Sequence, residues 1–254
     1  MLAACGSADG SSGKQAVVAA FYPLAFAAQR IGGDSVSVEN VTPVGAEPHD
    51  LELTPKTVAR IQSANVVLYL GDEFQPAVSE AAREGSGRAI DLLPQDGDPH
   101  VWLDPIRFAQ LGRTIGAALH RPTRAFTAEL ERLDREYHRG LAHCARREIV
   151  TSHEAFGYLA RRYGLKQVAV TGIAPEAEPS PRRLAQVVRT VKRTRATTVF
   201  FERLVSPRLA ETVAREVGAR TAVLDPIEGA EPGQTYVSLM RRNLAALRKA
   251  LGCR

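Results

Sequence analysis

The sequence predicts an α/β protein of two lobes, each a four-stranded, mainly parallel sheet flanked by helices, with a long rigid helix joining the lobes. Two observations predict this fold class. Short runs rich in β-branched residues alternate with amphipathic stretches, and a long helical segment interrupts that alternation once, in the middle of the chain. A length of 254 residues is enough for two compact lobes. The composition, 44% hydrophobic and 24% charged, excludes a disordered chain, a collagen and a polytopic membrane protein.

The first half contains four strand-like runs, at residues 16–21, 35–41, 65–70 and 88–92. The third run is almost continuously apolar, which is typical of a parallel strand that helices cover on both faces. A helical run follows the first strand, and Thr54 before Pro55 predicts the start of another helix. Threonine can accept an unpaired backbone N–H there, and proline fits the first helical position. We therefore assign residues 14–103 to an N-terminal lobe.

Residues 104–142 form the predicted helical connection. Asp104 before Pro105 starts one helix, Pro122 interrupts it, and a second helix runs to about Ala142. Apolar residues recur along the second helix at spacings of four, three, four and four, at Phe126, Leu130, Leu133, Tyr137 and Leu141. Such a stripe spans roughly 24 Å and predicts a stiff connection between the lobes.

The alternation of strand and helix returns in the second half, so residues 143–254 form the predicted C-terminal lobe. Its strand-like runs are 148–151, 167–170, 197–201 and 221–224. Ser180-Pro181 and Ser206-Pro207 each predict a capping serine followed by proline at the first helical position. The last helix is expected from about Thr235 to Ala250.

Charge gives little indication of a partner. The formal net charge is +5, only five of the 33 basic residues are lysine, and no basic stripe interleaved with aromatic residues is present. We therefore expect no nucleic-acid partner. A monomeric protein is a separate expectation. No run approaches the 18 apolar residues that a membrane-spanning helix requires.

Three of the six histidines follow predicted strands. His49 comes after the second strand, His100 after the fourth, and His153 after the first strand of the second half. The ligand crevice of an open parallel sheet lies beyond the carboxyl ends of its strands, so these imidazoles could converge in one cleft. The other three, His120, His138 and His143, lie in or beside Arg-rich helices and are expected to be solvated.

Carboxylates occupy the same kind of position. Asp225 directly follows the last strand, and Glu202 follows the strand that ends at Phe201. Three neutral imidazoles and one carboxylate form a complete tetrahedral set for zinc. Their spacing is not a local chelating motif such as HExxH, and it leaves open whether Asp225 or Glu202 completes the set.

Three segments carry a family resemblance. Residues 98–105 (DPHVWLDP), 47–50 (EPHD) and 151–160 (TSHEAFGYLA) resemble the signature segments of the zinc/manganese substrate-binding proteins of ABC transporters, bacterial solute-binding protein family 9, zinc-uptake type. The resemblance extends from Lys14 to the C-terminus, and DPHVWLDP is its most specific part. It implies one divalent metal bound between two α/β lobes that a long helix joins, and delivery of that metal to a membrane permease.

The resemblance also implies roles for residues. His49, His100 and His153 are the first three implied metal ligands, and Asp225 takes the fourth position. Glu202 matches a family carboxylate whose expected role is to hydrogen-bond a ligand imidazole, with direct ligation as the alternative. Asp104 could act in the same way or simply cap its helix, and Trp102 and Phe156 are expected to pack in the cleft wall.

Zinc is the predicted metal. Manganese-binding members of the family typically carry a carboxylate at the third ligand position, where this chain has His153, and imidazole suits zinc better than manganese. The histidine-rich loop that many zinc importers carry before DPHVWLDP is absent from residues 84–98. Manganese is the first alternative, and a zinc-dependent hydrolase is the second. The hydrolase is disfavoured because a fourth ligand would close the shell and because GxSxG and HExxH are both missing. A surface adhesin is a third possibility, and the sequence offers no separate feature for it.

The cysteines bear on location. Leu2-Ala3-Ala4-Cys5 resembles a lipobox, which implies a lipid on Cys5 that anchors the protein to the outer face of a bacterial membrane through a flexible tether at residues 1–13. Only four residues precede Cys5, so the charged and apolar regions of a signal peptide are missing, which indicates a truncated sequence or a misassigned start codon. Outside the cytoplasm, Cys144 and Cys253 would be free to form a disulfide.

Overall fold

The computed structural model describes residues 13–173, 175, 179–204 and 206–254. Cys5 and the lipobox lie outside this part of the chain, as does most of the expected tether. The predicted fold class is confirmed, because two four-stranded parallel sheets are each flanked by helices.

The first lobe contains four parallel strands in the order β2-β1-β3-β4. They are β1 (Gln15–Ala19), β2 (Val36–Asn40), β3 (Val66–Tyr69) and β4 (Arg88–Asp91). The helices between them are α1 (Tyr22–Gly32), α2 (Pro55–Ser63), α3 (Gly71–Phe74) and α4 (Pro76–Arg83). Thr54 caps α2 as predicted, since its side chain accepts the backbone N–H of Thr57. Every residue of β3 is buried, in agreement with its continuous apolar run.

The second lobe repeats this topology in the order β6-β5-β7-β8. Its strands are β5 (Glu148–Thr151), β6 (Lys166–Ala169), β7 (Thr198–Phe201) and β8 (Arg220–Val223), and its helices are α7 (Gly157–Arg162), α8 (Pro181–Thr194), α9 (Arg208–Val217) and α10 (Tyr236–Leu251). Ser180 caps α8 as predicted, and the last helix begins beside Thr235, which caps it. The predicted start of α9 was wrong by one residue. Pro207 takes the capping position, and the Ser206 hydroxyl accepts the N–H of Arg208.

Two helices lie between the sheets, α5 (Pro105–Leu119) and α6 (Arg124–Leu141). Helix α5 packs on α1 and β3 of the first lobe, whereas α6 also packs on α10 of the second lobe. The connection is therefore α6, and its whole predicted apolar stripe is buried. The two helices approach closely at Gly112, where a Cβ atom would overlap the ring of Phe126. Within the described ranges, no helix combines the length and the apolar character needed to cross a bilayer.

Cys144 and Cys253 form a disulfide that closes a sequence separation of 109 residues. Cys144 lies between α6 and β5, and Cys253 follows the last helix, α10. The bridge therefore attaches the end of the chain to the start of the second lobe.

Candidate metal-binding site

The site lies where the carboxyl ends of the two sheets face each other. His49 belongs to a short 3-10 helix, Pro48–Asp50, between β2 and α2. His100 begins a second 3-10 helix, His100–Leu103, after β4. His153 lies two residues beyond the end of β5. Each histidine thus occupies a chain segment that leaves a parallel strand, which is where the crevice of such sheets forms.

The three histidines meet one another and a carboxylate. One ligand atom from each of His49, His100, His153 and Glu228 lies within 4.8 Å of the others. Nε2 of His100 is 3.2 Å from Nε2 of His153. Oε1 of Glu228 lies 3.5 Å from Nε2 of His49 and 3.9 Å from Nε2 of His100. His100, His153 and Glu228 are at most 1% exposed, and the His49 side chain is 8% exposed.

The structure places Glu228, and not Asp225, beside the histidines. Asp225 faces away from the cluster: its Oδ1 accepts the backbone N–H of Ile227 at 2.8 Å, and its Oδ2 lies 3.7 Å from Nε of Arg203. This contact makes a tight turn in which Ile227 adopts a φ of 62°, a left-handed conformation that β-branched residues rarely take. The turn reverses the direction of the chain, so that Glu228, three residues after Asp225, lies in the cluster.

Two further contacts fix this turn. The side chain of Asn243 on α10 accepts the N–H of Asp225 at 2.9 Å and donates to its carbonyl at 2.6 Å. Nε1 of Trp102, from the first lobe, donates to the carbonyl of Pro226 at 2.6 Å. The strained backbone at Ile227 persists because the side chains of Asn243 and Trp102 hold the residues just before it in place. Sequence reasoning missed Glu228 because a carboxylate five residues beyond the end of β8 gives no signal of its own until the turn is known.

Carboxylates also contact the imidazoles on the sides away from the cluster. Nδ1 of His100 is 2.9 Å from Oδ1 of Asp98. Nδ1 of His153 is 2.6 Å from Oε2 of Glu202, whose other oxygen accepts from the Ser152 hydroxyl. Such contacts hold the proton on Nδ1 and leave Nε2 free to bind a metal. Glu202 therefore lies where an orienting group is expected.

Burial sets the protonation of the cluster. It lowers the pKa of His49 to about 4 and lowers that of His100, so both rings are neutral near pH 7. Burial also raises the pKa of Glu228 to about 7. It tends to lower the pKa of His153, but the carboxylate of Glu202 outweighs it and raises that pKa overall. For Glu202, burial acts to raise the pKa, and the contacts with His153 and Ser152 lower it overall.

The site has the properties expected of an ion-binding centre. Both carboxylate oxygens of Glu228 and Nε2 of His49 are buried without a hydrogen-bond partner among the described residues. Leaving such groups unpaired is costly, and a divalent cation would satisfy all of them at once. Three imidazole nitrogens and one carboxylate oxygen fit the four-coordinate preference of zinc.

The remaining predicted residues lie around this centre or away from it. Asp104 caps α5 by accepting the N–H groups of Ile106 and Arg107. Trp102 and Phe156 are both buried as expected, and the ring centroid of Trp102 lies 5.3 Å from that of His100. The histidines expected to be solvated stay outside the cluster: His120 caps the end of α5, and His138 projects from α6 with its side chain half exposed.

Comparison with known proteins places the chain in a family. The family described as "ZnuA: Zinc-uptake complex component A periplasmic" matches residues 17–250. The chain belongs to the ZnuA family. Its curated relatives include the zinc-binding lipoprotein AdcA of Streptococcus pneumoniae, 33% identical over 290 residues, a match that covers 98% of this chain and 58% of that protein. The chain thus spans little more than half the length of AdcA.

Other ZnuA-family relatives match over most of their length. The high-affinity zinc uptake system protein ZnuA of Bacillus subtilis is 32% identical over 299 residues, covering 99% of this chain and 94% of that protein. The laminin-binding protein Lmb of Streptococcus agalactiae, described as bifunctional with adhesin and metal transporting activity, superposes with a TM-score of 0.87 at 31% identity, covering 94% of this chain and 100% of Lmb. The Zn(II)-bound ZnuA-like domain of S. pneumoniae AdcA gives a TM-score of 0.78 at 34% identity, covering 94% of this chain and 99% of that domain.

Proposed function

We propose that this protein binds one zinc ion between its lobes, outside the cytoplasm, and delivers it to the membrane permease of an ABC transporter. The observation that carries the proposal is the buried set of three imidazoles and one carboxylate, whose ligand atoms lie within 4.8 Å of one another. In the proposed site His49, His100, His153 and Glu228 bind the ion. Asp98 and Glu202 orient His100 and His153, and Asp225 shapes the turn that presents Glu228.

The donor set favours zinc over manganese. Manganese prefers oxygen-rich coordination, whereas three of the four donors here are imidazole nitrogens. The names of AdcA and ZnuA, which describe zinc binding and zinc uptake, support the same choice.

The geometry favours transport over hydrolysis. A catalytic zinc site keeps one coordination position open for water, and its protein ligands number three. Glu228 supplies a fourth buried donor, which would fill that position. A site that closes around its ion in this way suits a carrier that holds a metal and later releases it.

The location and anchoring form part of the same proposal. The relative AdcA of S. pneumoniae is a zinc-binding lipoprotein by name, and the lipobox-like sequence ending at Cys5 suits a lipid-anchored protein on the outer face of the cell membrane. We expect the protein to work as a monomer there, with the permease as its partner.

Titration of the metal-stripped protein with zinc by isothermal calorimetry, using a competing chelator, tests the proposal. We expect one zinc per chain and a loss of most of the affinity in His100→Ala. His138→Ala is the matched control, because His138 is exposed on α6 and contacts Asp134 rather than the cluster. Unchanged affinity in His100→Ala would refute the site, and manganese bound more tightly than zinc would refute the choice of metal.

A further inference from the structure

Tyr158 connects the two lobes at the edge of the metal-binding site. It lies on α7 of the second lobe and is 1% exposed. Its single hydroxyl proton is shared between two acceptors in the segment 96–98 of the first lobe, Oδ1 of Asp96 and the backbone carbonyl of Asp98, 3.2 Å from the hydroxyl oxygen. This segment leads directly into the 3-10 helix that begins at His100.

Two guanidinium groups lie over the aromatic ring of Tyr158. The guanidinium of Arg107, on α5, lies 4.3 Å from the ring centroid, and that of Arg161, on α7, lies 4.6 Å from it. Cations over an aromatic ring attract its π electrons and restrict its movement. The hydroxyl of Tyr158 is therefore held in place where it contacts the segment 96–98 of the first lobe.

The contact reaches the metal site through Asp98. Oδ1 of Asp98 accepts the backbone N–H of His100 at 3.0 Å and lies 2.9 Å from Nδ1 of the same residue. By fixing the backbone at Asp98, Tyr158 fixes the carboxylate that aims the His100 ring at the ion. Neighbouring residues of the same segment, Gly97 and Pro99, line a cavity of about 190 Å³ that also opens on His49. His49, the most exposed of the four proposed ligands, is the one that borders this cavity.

We infer that Tyr158 is a positioning residue which, acting across the cleft through Asp98, holds His100 in its binding orientation and slows the release of zinc. The inference rests on the proposed zinc site. It assigns to a side chain that touches no metal the control of how long the cargo stays bound.

Zinc dissociation rates of the full-length protein, measured by stopped flow with excess chelator, test the inference. Tyr158→Phe keeps the ring beside Arg107 and Arg161 and removes the hydroxyl alone. We expect its dissociation rate to rise by roughly tenfold or more, in the range typical for the loss of a group that orients a metal ligand. Tyr163→Phe is the control, because it also removes a buried hydroxyl near α7, one that donates to Asp134 at 3.0 Å instead of to the cleft. We expect less than a twofold change for it.

A second pair of variants tests the route through Asp98. Asp98→Ala should itself speed zinc release, and adding Tyr158→Phe to it should change the rate by less than twofold, since the contact has nothing further to position. Equal rates in Tyr158→Phe and wild type, equal effects of Tyr158→Phe and Tyr163→Phe, or fully multiplicative effects of Tyr158→Phe and Asp98→Ala would each overturn the inference. Failure of the wild-type protein to bind zinc would instead refute the proposed function.

Discussion

In the proposed site, protonation of Glu228 and of His153 would compete with a bound cation near neutral pH. A metal needs an ionised carboxylate and neutral imidazoles, so each group must lose its proton before binding. The pKa of Glu228 is raised to about 7 by burial, and that of His153 is raised because Glu202 outweighs burial. His49 and His100 have lowered pKa values and are already neutral in this range.

Zinc affinity should therefore fall as the pH drops from 7.5 to 5.5. Protonation of Glu228 alone would weaken binding roughly 25-fold over this range, and protonation of His153 adds to the loss. In Glu228→Gln the carboxylate no longer titrates, so the zinc affinity should fall less steeply as the pH drops. Calorimetric titrations at four or five pH values measure both slopes. An affinity that stays constant over this range would contradict ligation by these residues.

The convergence of the three histidines could be predicted from the sequence, and the carboxylate beside them could not, for a physical reason. His49, His100 and His153 each follow a strand, and parallel strands deliver whatever follows them to one edge of a sheet. The choice between Asp225 and Glu228 depends on the turn at Ile227, whose φ of 62° no residue-type preference predicts. The Asn243 side chain that fixes this turn is 18 residues away in sequence.

At the scale of elements, the loop between β8 and α10 decides which carboxylate reaches the cluster. Asp225 acts on the backbone of its own loop, Asn243 attaches that loop to α10, and Trp102 attaches it to the first lobe. Most elements agree with their sequence signals, since caps such as Thr54 and Ser180 act locally. The start of α9 lies one residue later than predicted, a difference within the one or two residues by which the ends of helices commonly vary.

Two isosteric substitutions in this loop separate the role of shape from that of ligation. Asp225→Asn keeps a side-chain oxygen that can accept the N–H of Ile227, so the turn should persist and zinc affinity should change less than about threefold. Glu228→Gln removes the anionic donor, so affinity should fall by more than the roughly 10 to 100-fold typical for the loss of an outer partner. Competition titrations at pH 7.5 measure both. The reverse order of effects would restore Asp225 as the ligand.

At the scale of the whole molecule, hydrogen bonds, helix packing and a continuous hydrophobic core hold the lobes together. The Tyr236 hydroxyl on α10 donates to the carbonyl of Trp102 at 2.6 Å, and α6 packs along α10. One hydrophobic core continues from the first sheet through α5 and α6 to α10, and a smaller core lies under α8 and α9. The disulfide attaches the end of α10 to the start of the second lobe. Alternation of strand and helix predicted the two sheets, but how the lobes meet depends on these long-range contacts.

Removing the disulfide should lower stability without changing the metal site. The bridge closes a separation of 109 residues and restricts the unfolded chain, so Cys144→Ser with Cys253→Ser should reduce the free energy of unfolding by about 2–4 kcal/mol. Urea unfolding of the metal-free protein measures this, and reduction of the wild type should produce a similar shift. Zinc affinity of the double variant should stay within about twofold of the wild type. An unchanged unfolding midpoint would show that the bridge does not form or does not stabilise the fold.

We propose that His49, His100, His153 and Glu228 together hold one zinc ion between the lobes. An anomalous difference map from a zinc-loaded crystal, recorded on both sides of the zinc absorption edge, would locate that ion. We predict a single strong peak per chain, about 2.0–2.2 Å from the three imidazole nitrogens and a Glu228 oxygen. A peak bound by Asp225 or Glu202 in place of Glu228, or the absence of a peak between the lobes, would contradict the claim.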